Sequence, residues 1–180
     1  MQSIEFNEKI IPLSSKLLRF ACSFLDEKED ARDVVQDVLL KLWNNRNSLA
    51  KIENTESYAM RMIRNKCLDV LKSSRVMRLK PTSGNRTDFQ DVADYDAYEW
   101  KDTTRIVMDL AGKLPEIQKS VIFLRDMEQM EFTEISAITG LNINAVRVNL
   151  SRARKQVREE LLKIWENENT RSQSIAAKIF

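Results

Sequence analysis

Six polar side chains within nine residues, Arg147, Asn149, Ser151, Arg152, Arg154 and Lys155, make up a set suited to reading duplex DNA. Arginine and asparagine make bidentate contacts to guanine and adenine edges, while serine, lysine and the remaining arginines hold phosphates. No acidic residue lies between Leu141 and Val157, whereas an ordinary solvated helix face mixes its signs. A second basic stretch, 54–80, sets Arg61, Arg64, Lys66, Lys72, Arg75, Arg78 and Lys80 against Glu56 and Asp69, a local balance of +5. Together with Tyr58 and Asn65 this suits single-stranded DNA, where cations follow the backbone and polar or aromatic groups grip an unstacked base. Catalytic chemistry is harder to build. The chain has no His and only two Cys, which removes Ser-His and Cys-His nucleophiles and the usual zinc sites. No Gly-rich phosphate loop is present, so neither an enzyme nor a cofactor is expected.

The first set is carried by two helices and a tight turn. Phe132, Ile135 and Ile138 recur at threes, placing them on one helix face. Gly140 follows at the point where a left-handed residue stops a helix, and Asn142 is a candidate N-cap for the next one. That second helix carries Ile143, Val146, Leu150, Ala153, Val157 and Leu161 as a buried stripe, which leaves the basic set outside. The pattern matches a DNA-reading helix-turn-helix, with an αα-hairpin bearing a solvated charged face as the alternative.

The rest of the chain is helical in pattern. Three Gly and three Pro in 180 residues leave little material for hairpins, and 43% hydrophobic with 31% charged residues is a globular composition. Phe6, Ile10, Leu13, Leu17, Phe20 and Phe24 form a stripe that Pro12 interrupts with a kink or a fresh helix start. Asp26 to Asp30 reads as a loop with Asp30 as a possible cap, leading into ARDVVQDVLLKLW, Ala31 to Trp43. In that helix Val35, Val38, Leu39, Leu42 and Trp43 can face a core and Asp33, Gln36, Asp37 and Lys41 a polar side. Tyr58, Met62, Cys67, Leu68 and Leu71 fit burial in the following helix, and Cys22 and Cys67 read as reduced core thiols. Residues 81–102 hold six acidic residues against Arg86 and Lys101 and no sustained period, the signature of a flexible linker. Helical pattern returns with Trp100, Val107, Leu110 and Leu114, and Pro115 opens PEIQKSVIFLRDME, whose stripe is Ile117, Val121 and Leu124. Beyond Trp165 the polar tail reads as loose. The expected fold is all-α, with two small helical domains, 1–80 and 103–166, joined by the acidic linker 81–102 and followed by a tail, 167–180.

ARDVVQDVLLKLW closely resembles the most characteristic motif of bacterial sigma factors, an Ala-x-Asp-x-x-Gln-(Asp/Glu) run ending in Leu-Trp. The resemblance implies that Asp33, Gln36, Asp37 and Lys41 contact the clamp helices of the RNA polymerase β′ subunit. NTESYAMRMIRNKCLDVLKSSR is similar to the family's promoter-melting helix. There the resemblance implies −10 contacts for Asn54, Tyr58, Arg61, Arg64, Asn65, Lys72 and Arg75. Asn65 falls at the asparagine that helps read a flipped base, and the capturing loop corresponds to about Leu49 to Ser57. Tyr58 stands where a tryptophan is often found. Leu-Pro-Glu followed by the helix-turn-helix resembles the domain that reads the −35 element, with Ala145, Val148 and Asn149 where family members often carry Thr, Ser and Arg or Lys. Only these two domains are matched, as in the extracytoplasmic-function (ECF) group.

The implied function is a non-catalytic initiation subunit that binds core RNA polymerase (the β′ clamp helices and the β subunit) and promoter DNA, reading −35 duplex and capturing melted −10 DNA. An anti-sigma partner is implied as well. No apolar run is long enough to span a bilayer and no leader is evident, so a cytoplasmic protein that is not membrane-inserted is expected. Two other readings compete: a stand-alone helix-turn-helix regulator dimerising on a palindrome, and a sequestering adaptor that touches polymerase but not DNA. The first leaves ARDVVQDVLLKLW and the basic second segment without a task.

Overall fold

The computed structural model describes residues 3–49, 51–77 and 102–179, with side chains described over 5–49, 51–73 and 106–166. The acidic stretch expected to link two domains lies almost entirely outside these residues. Every regular element among them is helical: α1 (Ser3–Lys9), α2 (Ser14–Phe24), α3 (Lys28–Asn44), α4 (Arg46–Leu49), α5 (Thr55–Met77), α6 (Asp102–Gly112), α7 (Glu116–Ile122), α8 (Phe132–Thr139) and α9 (Ile143–Ile179). A 3-10 turn over Ile11–Leu13 joins α1 to α2. Pro12 lies within it, so the missing backbone donor divides the N-terminal stripe into two helices, as its position predicts.

α2, α3 and α5 pack together as one unit, and α6 to α9 as another. Phe6, Ile10, Leu17, Phe20, Phe24, Val34, Val35, Val38, Leu42, Ala59, Met60, Ile63 and Cys67 fill the first; Leu110, Leu114, Val121, Phe123, Leu124, Ile135, Ile138, Val146, Leu150, Ala153 and Val157 fill the second. Three details correct the expectations. α3 begins at Lys28 with Glu27 as the extended residue before it, which places Glu29 and Asp30 inside the first turn, where carboxylates favour the helix dipole. Tyr58 points outward at 38% exposure, while Ala59, Met60 and Ile63 take the buried positions of α5. The backbone of the expected loose tail continues α9 to Ile179.

The two units share one continuous core. Phe20 of α2 stacks on Phe24 and meets Phe123 edge-on, with centroids 5.3 Å apart. α5 lies along α8. The joint is closed by a carboxylate. After α7 the chain widens into a π-helical turn, Phe123–Met127, then reverses at Gln129, a non-glycine residue with φ of 55°. Between the two sits Glu128, its side chain 3% exposed, accepting from Arg19 Nε and Nη2 at 3.1 Å each, with Lys16 Nζ at 3.6 Å. Lys16 also pairs with Glu56 of α5. Both cysteines are free. Burial pushes the Cys22 thiol up to about 11 against the charges of Lys28 and Arg32, and the Cys67 thiol up to about 12, with Cys22 adding to the rise. Protonated thiols therefore contribute stability below the ordinary thiol pKa, and that contribution is lost as pH rises through these values.

The ion pair is asymmetric, because Arg19 and Lys16 keep 37% and 24% exposure. Glu128→Gln leaves two cations that water can reach and is expected to cost about 1 kcal/mol. Replacing Arg19 and Lys16 together by Leu strands a buried carboxylate and is expected to cost about 3 kcal/mol or more. Urea unfolding of the two variants measures the difference; a costlier Glu128→Gln would contradict the burial of that side chain.

Candidate polymerase and nucleic-acid interfaces

Helix α3 turns its hydrophobic residues to the core and a polar face to solvent, where Asp33, Gln36, Asp37 and Lys41 are all exposed. Asp37 accepts from Lys66 Nζ of α5 at 2.8 Å, and that bond, with the charge behind it, lowers the carboxyl's pKa. Amid this ring is Leu40, 59% exposed, which sequence periodicity did not single out. Residues 33, 36, 37, 40 and 41 recur at threes and fours on one side of the helix. A leucine ringed by hydrogen-bonding groups has the anatomy of a protein-docking patch, an apolar centre with a polar rim. The signal available in the sequence was the run of Leu39, Leu40 and Leu42, of which one face of α3 can bury only part.

Helix α5 presents a divided set. Asn54 caps it, accepting from the Ser57 backbone N–H at 2.8 Å. The same side chain donates through Nδ2 to Glu134 of α8 at 2.8 Å, and Glu134 in turn accepts from its own helix start, the Glu131 N–H, at 2.8 Å. Tyr58, Arg61, Asn65 and Lys72 are exposed. Arg64 is buried at 7% exposure beneath α7, where its Nε donates to Ser120 Oγ at 3.2 Å. Burial lowers its pKa, with Glu116 opposing, although a guanidinium remains charged at neutral pH. The side chain of Arg75 falls outside those described. The structure thus brings the exposed four together on one helix and holds Asn54 and Arg64 in contacts with the second unit.

The helix-turn-helix is built as its residues dictate. Gly140 adopts φ of 75° to end α8, and its N–H donates to the Ser136 carbonyl at 2.9 Å. Asn142 Oδ1 accepts from the Ala145 N–H at 2.8 Å, the expected N-cap of α9. Val146, Leu150, Ala153 and Val157 are buried, so Arg147, Ser151, Arg152, Arg154 and Lys155 face out. Their states differ. Arg147 lies over the Phe132 ring at 5.3 Å, a ring that Arg125 also approaches at 4.8 Å. Arg154 is held by Asp126, with Nε to Oδ2 at 3.0 Å. Lys155 is 77% exposed, 3.8 Å from Glu159. Asn149 is half-buried and donates back to the Ala145 carbonyl at 2.8 Å. Phe132, Arg147, Leu150, Ser151, Arg154, Lys155 and Arg158 line an open groove along this face. Arg158 extends the basic row by one turn beyond the residues the sequence pattern selected.

Among the described residues no group of three or more His, Cys, Asp or Glu side chains is placed to hold a metal ion. No helix there is long and apolar enough to cross a membrane.

Two family models match, in order along the chain: sigma-70 region 2 over residues 12–76 and sigma-70 region 4 over residues 104–157. The chain is 29% identical over 145 residues to the RNA polymerase sigma factor SigV of Bacillus subtilis, covering 81% of this chain and 84% of that one. It is 24% identical over 164 residues to the ECF RNA polymerase sigma factor SigE of Mycolicibacterium smegmatis, covering 88% and 62% respectively. The fold is similar to that of the sigma factor RpoE of Bartonella quintana, solved in complex with the anti-sigma factor NepR. That match has a TM-score of 0.74 at 22% identity and covers 89% of this chain and 98% of the other.

Asp126 pairs with Arg154 and so offsets the charge of one of the exposed α9 cations. Asp126→Ala is expected to release that guanidinium, tighten binding to duplex DNA at low salt, and steepen the log–log salt dependence by about 0.9. Fluorescence anisotropy across a salt series measures the slope; an unchanged slope would place Arg154 away from the DNA.

Proposed function

We infer the working surfaces of this chain from one premise: it is an RNA polymerase sigma factor of the sigma-70 family, of the extracytoplasmic-function (ECF) type. It binds core RNA polymerase and directs promoter-specific initiation. We propose that residues 1–80 form the core-binding and −10 module, that 103–166 form the −35 module, and that 81–102 connect them. Core polymerase docks on the exposed side of α3 through Asp33, Gln36, Asp37 and Lys41, with Leu40 as the apolar centre. The −35 duplex meets α9 through Arg147, Ser151, Arg152 and Lys155, with Asn149 and Arg154 beside them. The opened −10 strand runs along α5, with Tyr58 stacking, Asn65 reading a flipped base, and Asn54, Arg61, Arg64, Lys72 and Arg75 holding the strand.

One observation carries this reading: α3 and α9 each present a polar, uncovered face from the same core, with three cations of α9 free of any close ion pair among the described residues. The reading also has a mechanical consequence. Asn54 is bonded to Glu134 and Arg64 lies under Ser120, so their contact with DNA requires α5 to part from α7 and α8. Strand separation costs a few kcal/mol per step. Binding to polymerase and capture of the flipped base must supply both that cost and the cost of parting the helices. An anti-sigma partner, as RpoE has in NepR, is proposed to act on the closed arrangement.

Core polymerase is expected to initiate at a defined promoter only when the chain is added, in multi-round transcription with and without it. Equal transcripts in both would refute the function. Leu40→Glu is expected to weaken core binding at least tenfold, the scale of a docking hot spot, while leaving the unfolding midpoint within about 0.5 kcal/mol of the parent. Retained affinity in a native pull-down of β and β′ would move the docking patch off α3.

A further inference from the structure

Val148 is an exposed apolar side chain on a helix face made, apart from half-buried Ala145, of hydrogen-bonding and cationic groups. It is 47% exposed, with Asn144, Arg147, Ser151 and Arg152, all exposed, around it within one turn. A single exposed valine is ordinary. Its place is what makes this one informative. It lies in the N-terminal part of α9, the part of a recognition helix that meets base edges. Asn149 beside it is turned back along the helix and uses one amide hydrogen on the Ala145 carbonyl. That orientation withdraws the side chain from the bidentate adenine contact its type suggests. Readout therefore falls on Arg147, Val148, Ser151 and Arg152. Arginine and serine find partners on any base pair through acceptors or phosphates, whereas valine can gain only by burying apolar surface. On the major-groove edge of the four base pairs, one group is apolar, the thymine C5-methyl.

We propose that Val148 is a specificity-determining residue that recognises one thymine of the −35 element by packing on its C5-methyl group. The proposal rests on the reading of α9 as the −35 helix. Cytosine at that position offers a bare C5–H and an amino group that valine cannot bond, so it is rejected on both counts.

The test uses holoenzyme assembled from this chain and core polymerase, with its preferred −35 sequence found by selection from a randomised library. Each thymine is then replaced singly by deoxyuridine, which removes the methyl and nothing else. At one position the replacement is expected to lower open-complex formation about fourfold, the equivalent of ~0.8 kcal/mol for one buried methyl-sized group. With Val148→Ala holoenzyme the same replacement should cost nothing, and with Val148→Thr, which keeps one methyl, it should cost an intermediate amount. If a −35 preference emerges but no thymine shows a methyl effect that depends on residue 148, the assignment of Val148 is overturned while the −35 reading stands. If selection yields no −35 preference, that reading falls and the assignment with it.

Discussion

Glu128 is taken out of water against Arg19 of α2, a residue 109 positions away along the chain. A buried carboxylate is tolerated only where it is paired and hydrogen-bonded. Here the partners, Arg19 and Lys16, belong to the other half of the chain. That requirement adds directional hydrogen bonds to the register that the packing of Phe20 against Phe123 also sets. It also explains the irregular backbone beside it. A regular continuation of α7 would carry residue 128 around the helix, whereas the π-helical turn and the left-handed Gln129 aim the carboxylate at α2. Left-handed backbone at a non-glycine residue costs about 1 kcal/mol, and the surrounding bonds offset it: Met130 N–H to the Leu124 carbonyl at 2.9 Å and Arg125 Nη1 to the Met130 carbonyl at 2.6 Å.

The same joint sorts the functional residues into two states. α3 and α9 lie away from it and keep their polar faces open. α5 lies in it, and its Asn54 and Arg64 are engaged by Glu134 and Ser120. On the proposed reading, the surfaces that make first contact with polymerase and duplex are available in the closed arrangement, whereas part of the surface that holds melted DNA becomes available only when the units part. The joint combines the aromatic contact of Phe20 and Phe123 with buried polar contacts at Glu128 and Arg64, which suits separation under a competing partner better than a wholly apolar seam would. Each ion pair lost on parting can be rehydrated, because Arg19 and Lys16 already reach solvent.

Much of this arrangement is legible in the sequence wherever a rule is local. The left-handed Gly140, the Asn142 cap and the stripe of α9 follow from spacing and residue type alone; the structure has each of them, with Val146, Leu150, Ala153 and Val157 buried and Ile143 and Leu161 half-buried at its ends. Pro12 likewise divides the first stripe. Periodicity says which face is buried but not against what, and the misses follow from that. Tyr58 fits a buried pattern by hydropathy, yet Ala59, Met60 and Ile63 take the buried positions of α5, which packs against α2, α3 and α8. Arg64 reads as one of a row of basic residues until α7 covers it. Glu128 and its two partners carry no sequence signal at all, being separated along the chain and ordinary in type. Leu40 is the opposite case: an apolar residue among Leu39 and Leu42 carries no local sign that it faces out, and its 59% exposure emerges only once the core of α3 is fixed.

Charge makes the same point about local and non-local information. Counted by type, the first turns of α9 are cationic with no acidic residue among them, and a net charge of +2 gives no hint of how that face is used. In the structure Arg154 is held by Asp126, while Arg147 is laid over Phe132, so the cations are graded from fixed to free. A stacked guanidinium is held in one orientation by an aromatic face and keeps its hydrogen-bonding edge available, which suits a directional base contact. A lysine on a long flexible stem, such as Lys155, suits a phosphate whose position varies little with sequence. On the proposed reading, affinity for duplex taken from such a face is expected to be modest, because few cations are free to displace counterions. Specific placement on a promoter then depends on the polymerase holding both modules to the same DNA, since linking two weak contacts raises their joint affinity by the effective concentration of one near the other.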